Sequence, residues 1–118
     1  MTKELEQKLY TRFPFMQSRC GIACEDGWFQ LLWDFAEEIE KLNIPDFQMI
    51  QIKEKFSSLR LYNNTATKEV MAIVGKYEKL SSTTCEFCSK KGKFRKDLGW
   101  VRTLCNKCYK EKKNEKAD

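Results

Sequence analysis

Two CxxC pairs near the C-terminal end limit, more than any other feature, what this chain can fold into. Residues 85–88 have the sequence CEFC and, after 16 further residues, residues 105–108 have the sequence CNKC. A CxxC turn aims two thiolates at one point, and the intervening residues bring a second turn around to complete a tetrahedron. The spacing predicts a zinc ribbon over residues 81–110, with one structural Zn²⁺ per chain bound by Cys85, Cys88, Cys105 and Cys108.

The same cysteines leave two alternatives open. An iron–sulfur cluster also takes four thiolates, and two CxxC pairs can instead act as redox dithiols. Four thiolates close the coordination shell of zinc, so the ion would stabilise the fold and would not catalyse a reaction. A segment of about 30 residues needs stabilisation by a bound metal ion because it cannot build a sufficient hydrophobic core alone.

The residues around the two pairs fit a ribbon. Gly92 and Gly99 stand where a hairpin between the pairs would turn, and residues 100–104 have the pattern of a strand that enters the second pair. Lys90 and Lys107 would offset the negative charge of a four-thiolate zinc centre. We expect Phe87 and Trp100 to cover the site.

Two further cysteines, Cys20 and Cys24, have no such partners in the sequence. A CxxxC pair cannot make a second four-coordinate zinc site without two more ligands. Three interpretations stay open: small apolar residues of the core, a reversible thiol pair, or ligands of a metal site shared between molecules.

Composition excludes several classes of protein. The chain has no histidine, which removes histidine-based acid–base catalysis and every histidine-containing metal site. No apolar run approaches the roughly 18 residues of a membrane helix, and residues 1–10 lack the apolar region of a signal peptide. We therefore expect a cytoplasmic protein whose six cysteines serve metal or redox chemistry and not a disulfide framework.

The remaining pattern predicts an α+β domain over residues 1–80, with helices packed on a short β-hairpin. Apolar spacing predicts helices over residues 3–13, 27–42 and 67–80, and partial alternation predicts strands over 49–53 and 58–62. Asp26 is expected to cap the second helix. The core stripe of that helix is expected to contain Trp28, Leu32, Phe35, Ile39 and Leu42.

Trp33 does not fit that stripe. It lies about 140° around the helix from Trp28, at about 100° per residue. Either the N-terminal segment covers the ring, or Trp33 belongs to a contact surface.

The excess of positive over negative charge lies entirely in the last third of the chain. Residues 1–80 carry 11 Lys and Arg against 12 Asp and Glu, whereas residues 81–118 carry 11 against 5, a net +6. Such asymmetry indicates an interaction surface, with nucleic acid as the first candidate, unless the lysines only keep the protein soluble. Residues 111–118 are expected to form a charged tail.

Three segments together carry a resemblance. Residues 24–29 (CEDGWF), residues 51–62 (QIKEKFSSLRLY) and residues 84–88 (TCEFC) through 100–105 (WVRTLC) resemble a family of small, largely uncharacterised bacteriophage and prophage proteins. The family ends in a zinc-ribbon-like segment, and its pattern commonly has glycine where Glu25 stands and where Ser57 or Ser58 stands. The resemblance implies a phage or prophage origin and action in the cytoplasm of an infected bacterium; it implies no particular activity.

Two binding functions follow as hypotheses. The first is a non-enzymatic adaptor or inhibitor that binds a host protein or complex, such as the transcription or defence machinery. The alternative is a nucleic-acid-binding module, because lysines contact phosphates and exposed aromatic rings stack on bases. The expected binding residues are Lys90, Lys91, Lys93, Arg95, Lys96, Arg102 and Trp33.

Catalysis is a third hypothesis, in which Glu25, Asp26 and Asp34 would gather around Mg²⁺. Asp26 has the expected capping role, and Asp34 is expected on the solvated side of its helix. We therefore expect no enzyme and no catalytic residues.

Overall fold

Helices and short strands alternate along the chain in a mixed α+β fold, which confirms the predicted fold class. The computed structural model describes the backbone of residues 1–117 and the side chains of residues 1–115. In chain order the elements are α1 (Lys3–Arg12), β1 (Ile22–Ala23), α2 (Phe29–Lys41), β2 (Met49–Lys55), β3 (Ser58–Asn63), α3 (Lys68–Ser81), β4 (Lys93–Arg95), β5 (Arg102–Leu104) and α4 (Asn106–Ala117).

The first sheet has three strands in the order β1-β2-β3. The predicted hairpin is confirmed: β2 and β3 are antiparallel, and Ile52 lies opposite Leu61. Phe56 and Ser57 form the turn between them, and both have positive φ, 52° and 72°. The sequence pattern missed β1, which is only two residues long and pairs in parallel with β2 through Ile22 and Ile52.

Side chains of α3 cover the free edge of β3. The Ser81 hydroxyl accepts a hydrogen bond from the backbone N–H of Leu59 at 2.8 Å, and the Glu78 carboxylate accepts one from the N–H of Leu61 at 2.9 Å. Because an exposed strand edge would otherwise present unpaired donors, this contact joins α3 to the sheet and protects the sheet from further pairing.

The main core lies between α1, α2, α3 and the three-stranded sheet. The predicted stripe of α2 is buried except at its end, where Leu42 is 36% exposed because the chain leaves the helix through Asn43, which has a φ of 50°. The largest fully buried side chains of this core are Trp28, Phe13, Phe35, Leu9, Met16, Leu32, Ile39, Met49, Ile52 and Leu59.

The expectation about the cap of the second helix was wrong. Residues 26–28 form a short 3₁₀ turn before α2, so the capping position belongs to Trp28; the Asp26 carboxylate instead accepts the N–H of Thr2 at 2.7 Å. The charged tail predicted over residues 111–118 stays a prediction: helix α4 includes residues 111–117, and Asp118 lies outside the described residues. The mostly polar sequence of α4 has no apolar stripe that would reveal its period.

The cysteine-rich part contains the antiparallel pair β4–β5, with Phe94 opposite Thr103. Within the described residues, none of the helices has the length and hydropathy to cross a membrane.

Candidate metal centre and basic surface

Four cysteine sulfurs meet at one point of the C-terminal part. Cys85 and Cys88 lie in the turn after α3, Cys105 follows β5, and Cys108 lies in the first turn of α4. The four Sγ atoms all lie within 4.8 Å of one another, so the group could hold a metal ion. Cys85 is fully buried and Cys88 is exposed, which places the site at the surface of a small second core.

The backbone of the first CxxC turn is fixed by hydrogen bonds. The N–H of Cys85 donates to the carbonyl oxygen of Lys90 at 2.7 Å, and the N–H of Glu86 donates to that of Thr103 at 3.0 Å. Gly92 was expected in a turn. Instead, it allows the backbone of residue 92 to approach the backbone of Cys85, because a Cβ there would lie 2.9 Å from the Cys85 nitrogen. Gly99 does form a turn, with a φ of 89°.

The thiols of the second pair differ in their electrostatics. The backbone N–H of Cys108 donates to Sγ of Cys105 at 3.4 Å, and this contact lowers the pKa of Cys105 to about 7. Burial raises the pKa of Cys108 above its usual range. Because a metal binds thiolates and releases their protons, metal binding by this group would be coupled to deprotonation.

Glu86, inside the first CxxC turn, is a buried carboxylate held by two partners. It is 1% exposed, and it accepts hydrogen bonds from the Arg102 guanidinium at 3.0 Å and the N–H of Glu25 at 3.1 Å. Burial raises the pKa of Glu86, against the opposing effects of Arg102 and of that N–H. Arg102, predicted as a binding residue, is therefore engaged within the fold.

The segment before α2 docks directly onto the metal-ligand turn. The indole N–H of Trp28 donates to the carbonyl oxygen of Thr84 at 2.8 Å, and the Ser89 hydroxyl donates to that of Gly27 at 2.5 Å. Both contacts cross the domain boundary that we predict near residue 80, and that boundary stays a prediction. The resemblance had singled out residues 24–29, and this docking gives them a structural role that local patterns could not indicate.

The predicted basic residues separate into two groups. Arg95, like Arg102, is half-buried: its guanidinium lies 4.3 Å from the ring centroid of Tyr109 and donates to Asn106 at 2.8 Å. The other four are exposed, and in the part of the chain with described side chains none of them forms an ion pair. We call these four the ribbon lysines: Lys90, Lys91, Lys93 and Lys96.

Trp33 is half-buried at the edge of the main core. Its ring makes an edge-to-face contact with Phe13 at 5.0 Å and lies 5.9 Å from Phe29. Its remaining surface lines an open groove with Lys8 and Arg12 of α1. The N-terminal segment thus covers part of the ring, and its role in binding stays a prediction.

Exposed aromatic rings form a surface that the sequence pattern did not predict. Trp100, expected over the metal site, is 50% exposed and stacks on Phe56, which is 59% exposed; the ring centroids are 6.0 Å apart and the planes differ by 19°. We call these two residues the aromatic pair. Phe94 is 57% exposed, whereas Phe87 is half-buried against the cysteine cluster.

The other candidate residues are placed as follows. Cys24 is buried in the main core and Cys20 is exposed; neither joins the metal-ligand group found among the described residues. Burial raises the pKa of Cys24 above its usual range. Glu25 is exposed, and the Asp34 carboxylate accepts a hydrogen bond from Gln30 at 2.8 Å.

Comparisons with protein-family models, with curated proteins and with solved structures give no match for the chain.

Proposed function

We propose that the chain is a non-enzymatic protein in which one structural zinc ion holds a ribbon whose exposed lysines bind nucleic acid. Four Zn–S bonds of about 2.3 Å require sulfurs about 3.8 Å apart. Sγ of Cys88 and Sγ of Cys105 lie 3.5 Å apart, and the whole group lies within 4.8 Å, so shifts of up to about 1 Å in the sulfur–sulfur distances would complete the tetrahedron around zinc. Cys85, Cys88, Cys105 and Cys108 are the proposed ligands.

One observation carries the binding function: the four ribbon lysines are exposed and unpaired in the described structure, while nearby acids are engaged. Glu86 bonds to Arg102, and the Asp97 carboxylate accepts hydrogen bonds from Tyr109 at 2.6 Å and Lys113 at 3.2 Å. Uncompensated positive charge in and next to β4 attracts phosphates, because binding releases their condensed counterions.

Exposed aromatic rings in the basic third of the chain also support nucleic-acid binding. Phe94 lies between Lys93 and Arg95, and Trp100 precedes β5. Rings interleaved with cations suit bases and phosphates together. The resemblance to phage proteins supports action in the cytoplasm of an infected bacterium, where both a host protein and nucleic acid would be accessible.

Binding of a fluorescent 12-nucleotide oligo(dT) to the zinc-loaded chain, followed by anisotropy, tests the proposal. If about four phosphates are contacted, affinity should fall about 50-fold between 50 and 200 mM salt. Changing Lys90, Lys91, Lys93 and Lys96 to Glu should abolish binding.

A matched control separates this surface from net charge. Changing Lys3, Lys41, Lys68 and Lys79 to Glu also lowers the formal net charge from +5 to −3, because each change removes two charges, and these lysines are exposed outside the ribbon. This control should keep most of the affinity. Equal losses in both variants, or no oligonucleotide binding at 50 mM salt, would contradict the proposal.

Capture of a host protein is the competing outcome. A tagged chain incubated in bacterial lysate should recover nucleic acid that is lost on nuclease treatment. Recovery of one host protein that survives nuclease and depends on Trp33 would favour the adaptor hypothesis instead.

A further inference from the structure

The turn between β2 and β3 holds an aromatic residue in a backbone conformation that aromatic residues avoid. Phe56 and Ser57 have φ of 52° and 72°. Two-residue hairpin turns of this kind strongly favour Asn-Gly or Asp-Gly, because a bulky side chain at positive φ crowds its own backbone. Yet the Phe56 ring is 59% exposed, so burial in the core does not repay this cost.

Trp100 reaches the same place from a distant part of the chain. Its indole N–H lies 3.1 Å from both carboxylate oxygens of Glu54, and Glu54 also accepts the N–H of Ser57 at 2.8 Å. One carboxylate thus accepts hydrogen bonds from both the turn and the indole, and it fixes the orientation of the ring. The result is an aromatic pair of fixed orientation that remains half-exposed.

The aromatic pair is joined to the ribbon lysines through β5. The Thr103 hydroxyl donates to the carbonyl oxygen of Ser57 at 2.7 Å, so the β4–β5 hairpin lies against the turn. Phe94 is the cross-strand partner of Thr103 and therefore lies on the same face of the hairpin. Lys93 precedes Phe94 in β4 and therefore lies on the opposite face of the hairpin, whereas the Lys55 ammonium lies 5.7 Å from the Phe56 ring centroid.

We propose that the aromatic pair is a stacking platform for unpaired bases, so that the protein selects single-stranded over double-stranded nucleic acid. This inference rests on the proposed function and specifies its substrate class. Bases of a single strand can stack on an exposed ring while flanking lysines contact the phosphates; bases of a duplex are already stacked on each other. Because the two rings are already fixed in orientation before binding, they lose little conformational entropy when a base stacks on them. This advantage explains why the protein keeps a turn with a strained backbone.

The test compares 12-nucleotide oligo(dT) and oligo(rU) with a 12-base-pair duplex at 50 mM salt, using the zinc-loaded chain. The single strands should bind at least about tenfold more tightly and should quench tryptophan fluorescence. Phe56→Asn, which suits positive φ, should weaken single-strand binding about tenfold and leave duplex binding unchanged. Trp100→Phe removes the indole N–H that Glu54 holds, so it should weaken single-strand binding, and it should also lose most of the quenching, because Trp28 is buried in the main core and Trp33 is half-buried at its edge.

Met71→Gln is the matched control, since it removes a side chain that is 61% exposed from α3 and should not change binding. Equal affinity for single strand and duplex, with loss in the ribbon-lysine variant but not in Phe56→Asn, would overturn the platform and leave the proposed function standing. Failure of all three nucleic acids to bind would overturn both.

Discussion

The backbone N–H of Gly27 donates a hydrogen bond to the carbonyl oxygen of Glu86 across 2.7 Å, which joins the 3₁₀ turn before α2 to the turn that carries Cys85 and Cys88. A Cβ on Gly27 would lie 2.4 Å from the carbonyl oxygens of both Cys85 and Glu86. The stability of the main core and the geometry of the metal centre are therefore coupled at this contact.

Gly27→Ala should separate the two parts of the molecule at this contact. The new methyl group would meet backbone atoms of Cys85 and Glu86, which cannot move aside as a flexible side chain can. We therefore expect the free energy of unfolding to fall by about 3 kcal/mol. Gly75→Ala is the control: no heavy atom lies within 4 Å of a Cβ there, and alanine in α3 should gain about 0.5–1 kcal/mol. Urea unfolding of both variants measures the difference. Equal free energies of unfolding for Gly27→Ala and Gly75→Ala would contradict the close approach of Gly27 to the backbone of Cys85 and Glu86.

Cys105→Ser should release the metal, because the hydroxyl of serine is a poor zinc ligand. Metal per chain, measured by elemental analysis, should fall from one towards zero, and amide exchange should accelerate over residues 85–108. Cys20→Ser, at an exposed cysteine outside the group, should retain the full metal content. Metal retained by the Cys105 variant would show that the four sulfurs do not form the site.

Thiol reactivity should distinguish the two remaining cysteines. Burial raises the pKa of Cys24, so at neutral pH its thiol is both protonated and inaccessible, whereas Cys20 is exposed. In the metal-loaded protein, iodoacetamide followed by mass mapping should modify Cys20 and leave Cys24 intact until the chain unfolds. Rapid modification of Cys24 would contradict its place in the core.

The sequence predicted those elements whose signal is local. Periodic apolar residues gave α2 and α3, and alternation gave the β2–β3 hairpin. The CxxC spacing identified the four cysteines that meet, because each turn fixes two ligands within four residues. The structure contains these elements because their sequence signals have local causes: the burial of one face of a helix or strand, and the geometry of a short turn.

Features that depend on long-range contacts could not be predicted in this way. β1 exists because Ile22 meets Ile52, and the aromatic pair exists because Phe56 meets Trp100, residues that are far apart in sequence. The capping expectation for Asp26 failed because the chain first makes a 3₁₀ turn, whose path is set by docking onto Glu86.

The strained turn gives a prediction on stability alone. Phe56→Asn relieves the positive φ of an aromatic residue but loses the contact with Trp100, an exposed pair that contributes little. We expect the free energy of unfolding to stay within about 1 kcal/mol of the parent. A loss of about 3 kcal/mol, the size expected for a buried Phe, would mean that Phe56 serves stability and not binding.

Native mass spectrometry of the chain with oligo(dT) at low ionic strength tests whether a zinc-held ribbon binds nucleic acid. We expect one species with the mass of the chain plus one zinc ion, and a second species that carries one oligonucleotide in addition. A metal-free chain, or a zinc-loaded chain that never acquires the oligonucleotide, would overturn the proposed function.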